Sequence, residues 1–253
     1  MPSRRSTKLD PEQQARRLAI GEERRAKTRA TLLAAAYRLF AAHGSDAPTI
    51  DDVIAEAGVA RGTFYNHFAT RDELFRAVAS DLTYAINGMI TPAIAGITDP
   101  ATQISLSYRL FLRFAISDPT RGWILLRTMP LVSALNDEMK FIMQAQFSQA
   151  IAQRQFTVQS LETAMDLGLG LLVMTINRAL HEGITDKYID QTVETLLTAL
   201  GLSKKEARSL AQIPIDLGPP LRLAINSIAQ RADGAPDKEM RFRRSSKQGK
   251  VVQ

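Results

Sequence analysis

At 253 residues, 45% of them hydrophobic, the chain can bury one large core or two modest ones, and a small reader beside a larger partner domain fits that size. With 0 cysteines it has no disulfide framework, thiolate metal site or cysteine nucleophile, and no run approaches the roughly 20 apolar residues of a membrane-spanning helix. The formal net charge is +6, and Met1-Pro-Ser-Arg-Arg opens on charge rather than on an apolar signal segment, so the expected location is the cytoplasm.

Apolar residues recur at intervals of three and four, which predicts an all-α chain. The first helix is expected from about Glu23 to Ala42, with Leu32, Ala36, Leu39 and Phe40 on one face and His43-Gly44 as its stop. Thr49 caps a short second helix that has Asp51 and Asp52 in its positive first turn and Gly58 at its end. Its buried stripe is Ile50, Val53, Ile54 and Ala57. A third short helix is expected from Arg61 to about Phe68. Thr70-Arg71-Asp72-Glu73 is a capping box for a long fourth helix ending near Pro92. Asp99-Pro100 opens a fifth, which Ser117-Asp118-Pro119 terminates.

A short helix is then expected at about Thr120 to Arg127 and another between Pro130 and Thr157. The most apolar helix of the chain falls between Ser160 and His181. Thr185 caps one through about Leu200, and Ser203 caps a last short one. From Gly218 onward the composition turns to Pro, Gly, Ser and charge, so that tail is expected to be mostly disordered, with at most one short helix near Leu221 to Ala229. The expected organisation is a basic flexible arm at 1–22, an N-terminal three-helix reading domain at 23–82, a larger helical domain at 83–215 and a basic tail at 216–253.

Two short helices joined by a tight glycine-containing turn, with a longer helix in front, are the arrangement that lays its second helix in a DNA major groove. Many helical proteins contain such a pair, so the side chains decide. Phe64 and Phe68 are four apart and pack inward, leaving Arg61, Thr63, Tyr65, Asn66 and His67 on the other faces. A guanidinium reaches guanine O6 and N7 as a fork, and a hydroxyl, amide or phenol serves a phosphate or a base edge. Gly62 lets the backbone approach closely. Thr49 and Arg71 stand at helix amino ends, where free N–H groups favour a phosphate.

The run from Thr49 to Phe68, with Thr70-Arg71-Asp72-Glu73-Leu74 after it and Leu39-Phe40-Ala-Ala-His-Gly44 before it, resembles the TetR family DNA-binding domain over about residues 23–82. In that family the third helix reads the operator. The resemblance therefore implies base or nearby contacts for Arg61, Gly62, Thr63 and Tyr65, and phosphate contacts for Thr49, Asn66, His67 and Arg71. Arg71 stands where the family often has lysine, which keeps the charge and alters the contact geometry.

The charge distribution agrees with a polyanion partner. Residues 1–30 carry nine Lys or Arg against four acids and residues 231–253 seven against three, whereas 31–85 carry four against seven and 86–230 twelve against twelve. Basic arms release counterions from DNA, though they also keep a protein soluble. The cluster Arg24, Arg25, Lys27 and Arg29 is expected to add affinity for any duplex.

By the resemblance, the helices at about 160–181 and 186–200 pair with their copies across a two-fold axis. Gly168 and Gly170 among Leu167, Leu169, Leu171, Leu172 and Met174 suit a close approach of backbones, and a buried central helix of the monomer accounts for them equally well. A two-fold reader also gains specificity on a near-palindromic operator, so a homodimer is expected. The family's usual control is a small-molecule effector. Phe111, Trp123, Arg127, Met143, Phe147 and Asn177 are the pocket candidates, with Phe114, Met129, Met139, Met174, Tyr84 and Tyr108 further possibilities. The three histidines are scattered, and no Gly-rich phosphate loop or nucleophile elbow occurs, so no enzyme, metal or cofactor is expected. The sum is a repressor released from its operator by an effector. Its competitors are a nonspecific architectural DNA binder and a helical adaptor without an effector.

Overall fold

The computed structural model describes residues 11–43, 48–129 and 137–215, and among them the chain forms ten α-helices and no strand. Gly44, the expected disordered tail with its helix near 221–229, and residues 1–10 lie outside the described residues. The first helix, α1 (Pro11–His43), starts at Pro11 rather than at Glu23. Proline is tolerated in a first turn, and the residues after it are good helix formers. The segment lacks only a buried stripe, since Leu18 and Ile20 are exposed. Residues 11–22, expected as part of a basic arm, are therefore helical and continuous with the rest of α1.

Next come α2 (Ile50–Ala57), α3 (Arg61–Tyr65) and α4 (Arg71–Ile94). The α2 cap is reciprocal: Thr49 Oγ1 accepts from the Asp52 N–H at 3.2 Å, and the Asp52 carboxylate accepts from the Thr49 N–H at 2.8 Å. Gly58 ends the helix with φ 64°, a left-handed conformation that costs glycine nothing. The cap of α4 is Thr70, whose Oγ1 accepts from the Glu73 N–H at 3.1 Å. Glu73 itself reaches one residue further back than a capping box requires, to the Ala69 N–H at 2.6 Å. α4 passes residue 82 without a break, so the two expected domains share it.

The larger part comprises α5 (Pro100–Ile116), α6 (Pro119–Thr128), α7 (Asp137–Ala152), α8 (Leu161–Glu182), α9 (Asp186–Leu200) and α10 (Lys204–Ala211). Asp99, Asp118, Ser160, Thr185 and Ser203 each accept a first-turn N–H, which fixes where five of these helices start. α5 is central and touches α4, α6, α7, α8, α9 and α10. Burial is continuous from Phe40 and Phe64 through Leu82 and Ile86 to Leu112 and Leu196, each such side chain contributing about 1.5–3 kcal/mol.

Polar ties fix the packing angles. Arg38 pairs with Glu56 at 2.6 Å between α1 and α2. The Tyr37 hydroxyl donates to Asp118 at 3.0 Å, joining α1 to the start of α6. Burial, then the Asp118 charge, pushes the Tyr37 phenol up to about 12. Arg109, almost fully buried, donates to Asp190 at 2.8 Å and to the Ile213 carbonyl at 2.6 Å, so α5 grips α9 and the chain after α10. No helix among the described residues is long and apolar enough to cross a membrane.

Candidate nucleic-acid interface and inner cavity

The left-handed Gly58 turns the chain sharply between α2 and α3, and α3 is brief: its helix stops at Tyr65 instead of Phe68. The chain still coils on through a turn, because the His67 and Phe68 N–H groups both donate to the Phe64 carbonyl at 2.9 Å. That turn buries Phe64 and Phe68 together, their ring centroids 6.0 Å apart. What remains outside is the set singled out from sequence. Arg61, Gly62, Tyr65 and Asn66 are exposed, and Thr63 and His67 are half-buried. Tyr65 is 47% exposed with its ring edge-on to Phe64, so it is braced without being covered. A Cβ added to Gly62 would meet nothing within 4 Å.

The charges around this surface are arranged more specifically than the sequence suggested. Arg61 forms an exposed ion pair with Asp51 of α2. Arg25 of α1 donates to the Asn66 carbonyl at 3.4 Å, and the Arg29 guanidinium lies 5.2 Å from the Phe68 ring centroid. Burial, and then the positive charges of Arg25 and Arg29, hold the His67 imidazole below its ordinary pKa. Two members of the basic cluster thus rest on the reading segment itself, from the flank of a helix. The signal was their four-residue spacing, which puts both on one face of α1. Arg71, at the start of α4, stands over Phe75 at 5.5 Å, and Thr49 is exposed on the outer end of α2.

A second feature lies inside the larger part, between α4, α5, α7 and α8. It is a cavity of about 30 Å³ with apolar walls that include Ile90, Phe111, Met129, Met143 and Leu172. Of the expected pocket residues, Phe111 and Met143 lie on this wall, as do Met129 and Tyr108. Four others are placed elsewhere. Trp123 sits edge-on to His181 at 5.3 Å, Arg127 is exposed, and Asn177 is half-buried on α8. Phe147 is fully buried between Tyr108 and Phe156 and does not line the cavity. Tyr84 and Met174 point to the outside, Phe114 packs under Arg121, and the side chain of Met139 lies outside the described residues.

Of the cavity's polar groups, sequence reasoning named Tyr108 and missed Asn87, Ser107 and Gln146. Asn87 Nδ2, Ser107 Oγ and the Tyr108 hydroxyl are buried without a hydrogen-bond partner, and Asn87, Ser107 and Tyr108 all line the cavity beside the buried Gln146. Leaving such a group unmet costs about 1–3 kcal/mol. The available signal was Asn87 itself, a polar residue on the buried stripe Thr83, Ile86 and Ile90 of α4. Burial pushes the Tyr108 phenol well up, so it stays protonated.

The two glycines of α8 have separate surroundings. A Cβ on Gly168 would fall on the Tyr108 hydroxyl and 3.3 Å from Phe147 Cζ, so Gly168 serves the interior of this chain. Gly170 is exposed with nothing within 4 Å, on a surface that also shows Leu167 and Met174. Among the described residues no group of three His, Asp or Glu is placed to hold a metal ion.

Comparison with known proteins follows the same division. The family model described as bacterial regulatory proteins, TetR family, matches residues 32–78, and one described as a tetracycline-repressor-like C-terminal domain matches residues 99–213. Similar solved structures include ligand-free RolR, 26% identical with a TM-score of 0.62 over 74% of this chain and 97% of that one. RolR in complex with resorcinol is 25% identical with a TM-score of 0.58, over 77% and 97%. FadR of Bacillus subtilis, solved with stearoyl-CoA, shares the fold at 14% identity and a TM-score of 0.53, over 67% and 96%. With both the reading segment and the helical domain matched, the chain belongs to the TetR family of bacterial regulatory proteins.

Proposed function

We propose that this regulator is a sequence-specific repressor that binds its operator as a homodimer and leaves it when a small molecule occupies the inner cavity. The observation that carries the reading is the division of labour in α3 and the turn after it. Phe64 and Phe68 are consumed in the core, while Arg61, Gly62, Thr63 and Tyr65 face outward on a rigid base. Arg61 and Tyr65 contact bases, and the open Gly62 surface admits the duplex backbone. Thr49, Asn66, His67 and Arg71 take phosphates, with Arg25 and Arg29 adding charge behind them. Residues 23–82 act as the reader and 83–215 as the regulatory part.

Dimerisation is assigned to the outer face of α8 and α9. Leu167 is 39% and Met174 62% exposed there, large apolar surface that a second copy removes from water. The cavity and the reader are joined by α4, which carries Arg71 at one end and Asn87 and Ile90 at the other. At 1.5 Å per residue the two sites are about 24 Å apart along one rod, so an effector that tilts α4 also moves the reading helices. RolR, the relative solved both with and without resorcinol, supports small-molecule control.

The test is fluorescence-anisotropy binding of wild type and Tyr65→Ala to the promoter duplex beside the protein's own gene, with unrelated duplex as competitor, across a salt series. The expected result is a preference of about a thousandfold or more in wild type, lost in the variant. Equal binding to every duplex would make the protein an architectural binder instead, and no binding at all would favour a protein partner.

A further inference from the structure

Three residues that line the cavity carry buried polar atoms without a partner, and these atoms specify what it accepts once its wall re-packs. We infer that it takes an uncharged molecule about one ring in size that bears at least two hydroxyl or carbonyl oxygens. This inference rests on the effector reading above and adds its chemistry.

The number of oxygens follows from counting lone pairs. Asn87 Nδ2, Ser107 Oγ and the Tyr108 hydroxyl are three donors without an acceptor, carried by two helices. A single oxygen offers two lone pairs, so one hydroxyl or carbonyl leaves a donor unmet. Gln146 of α7 adds an amide that can donate or accept on the same wall. The neutrality follows from what the wall lacks. Among the described residues lining the cavity there is no Asp, Glu, Lys, Arg or His, so an ionised ligand would lose its water without finding a counter-charge.

Size is set by the apolar shell. The cavity of about 30 Å³ has room for one or two waters, whereas an apolar cavity that accepts benzene is about 150 Å³. Opening therefore has to come from the wall, and Met129 and Met143 supply it, since an unbranched thioether side chain re-packs readily. Re-packing of these two side chains is what has to free a ring's worth of space. The position of the Tyr108 hydroxyl is set independently: it occupies the space where any side chain at 168 would stand, so Gly168 makes room for that donor beside the cavity wall.

The experiment is isothermal titration of the full-length protein, without DNA, against toluene, phenol, benzoate and the three benzenediols, repeated on Tyr108→Phe and Asn87→Leu. At least one benzenediol is expected to bind about tenfold or more tighter than toluene, phenol and benzoate, and each variant to lose about that factor. Benzoate or toluene binding as tightly as the benzenediols would overturn the inference. So would an absence of benzenediol binding at millimolar concentration, with water alone then serving the three groups. The variants carry a second readout: with the donor unmet in the empty protein, Tyr108→Phe leaves its thermal unfolding temperature unchanged or higher, and a clear fall would contradict the inference. Operator binding by the same wild-type preparation is scored separately. Its presence alongside a failed titration removes the ligand class alone, and its absence removes the regulator reading.

Discussion

Substituting alanine for each glycine of α8 should move stability in opposite directions. At Gly170 a methyl group enters open space, and the helix gains the roughly 1 kcal/mol by which alanine exceeds glycine in a helix interior. At Gly168 the same gain is opposed by a methyl group that lands on the Tyr108 hydroxyl, with Tyr108 Cζ at 3.1 Å and Phe147 Cζ at 3.3 Å. Phe147 is 0% exposed and has no room to withdraw, and Tyr108, 4% exposed, has only the cavity of about 30 Å³ beside it. Overpacking of this kind costs about 1–3 kcal/mol, so Gly168→Ala should lose about 0–2 kcal/mol net. The two variants should then differ by about 1–3 kcal/mol, with about 2–4 °C of midpoint shift for each kcal/mol. Urea unfolding at two protein concentrations separates folding from association. Gly168→Ala proving as stable as Gly170→Ala would refute the assigned rotation of α8. A loss in Gly170→Ala confined to the concentration-dependent part would place a partner backbone against that residue.

Three further outcomes are expected. Tyr37→Phe removes the hydrogen bond between α1 and Asp118 and should cost about 1.5 kcal/mol in urea unfolding, the low end for a charged acceptor because Asp118 is a third exposed. Because the folded phenol titrates at about 12 and the unfolded one at 10.0, its contribution is full below pH 10 and is lost between pH 10 and about 12. The variant should show a shallower alkaline decline over that window. DNA binding has the same sign: phosphates that neutralise Arg25 and Arg29 raise the depressed pKa of His67, so the complex takes up a proton and operator affinity rises as pH falls through the pKa of His67 in the complex. His67→Gln should flatten that dependence in anisotropy titrations. Thr49→Ala removes the α2 cap and should lower thermal stability by about 1 kcal/mol even without DNA.

Local chemistry made most of the helix starts readable. Thr49, Thr70, Asp99, Ser160, Thr185 and Ser203 each accept the N–H expected of a cap, because capping involves four consecutive residues and no distant partner. The start of α1 was missed because the reading relied on an apolar stripe, and residues 11–22 form helix without one. The outward set on α3 was legible once Phe64 and Phe68 were assigned to the core. The cavity was not, since its lining depends on how four helices rotate against one another. Phe111 and Met143 were identified, but Trp123 and Arg127 lie on α6, outside the cavity wall, and Phe147 and Asn177 stand on α7 and α8 away from it. Gly168 and Gly170 show the same limit. Two residues apart means about 200° around a helix, so they never shared a face.

The exposed pair between Arg61 and Asp51 bears on how long the protein stays at the wrong place. An exposed ion pair is worth less than about 1 kcal/mol, enough to occupy the guanidinium against a passing phosphate. A guanine that offers two acceptors to the fork is worth about 1–3 kcal/mol and draws it away. In its proposed role the arginine thus stays sheathed while the protein slides over unrelated sequence. On that proposal Asp51 competes with phosphates for the guanidinium and so widens the gap between specific and nonspecific binding.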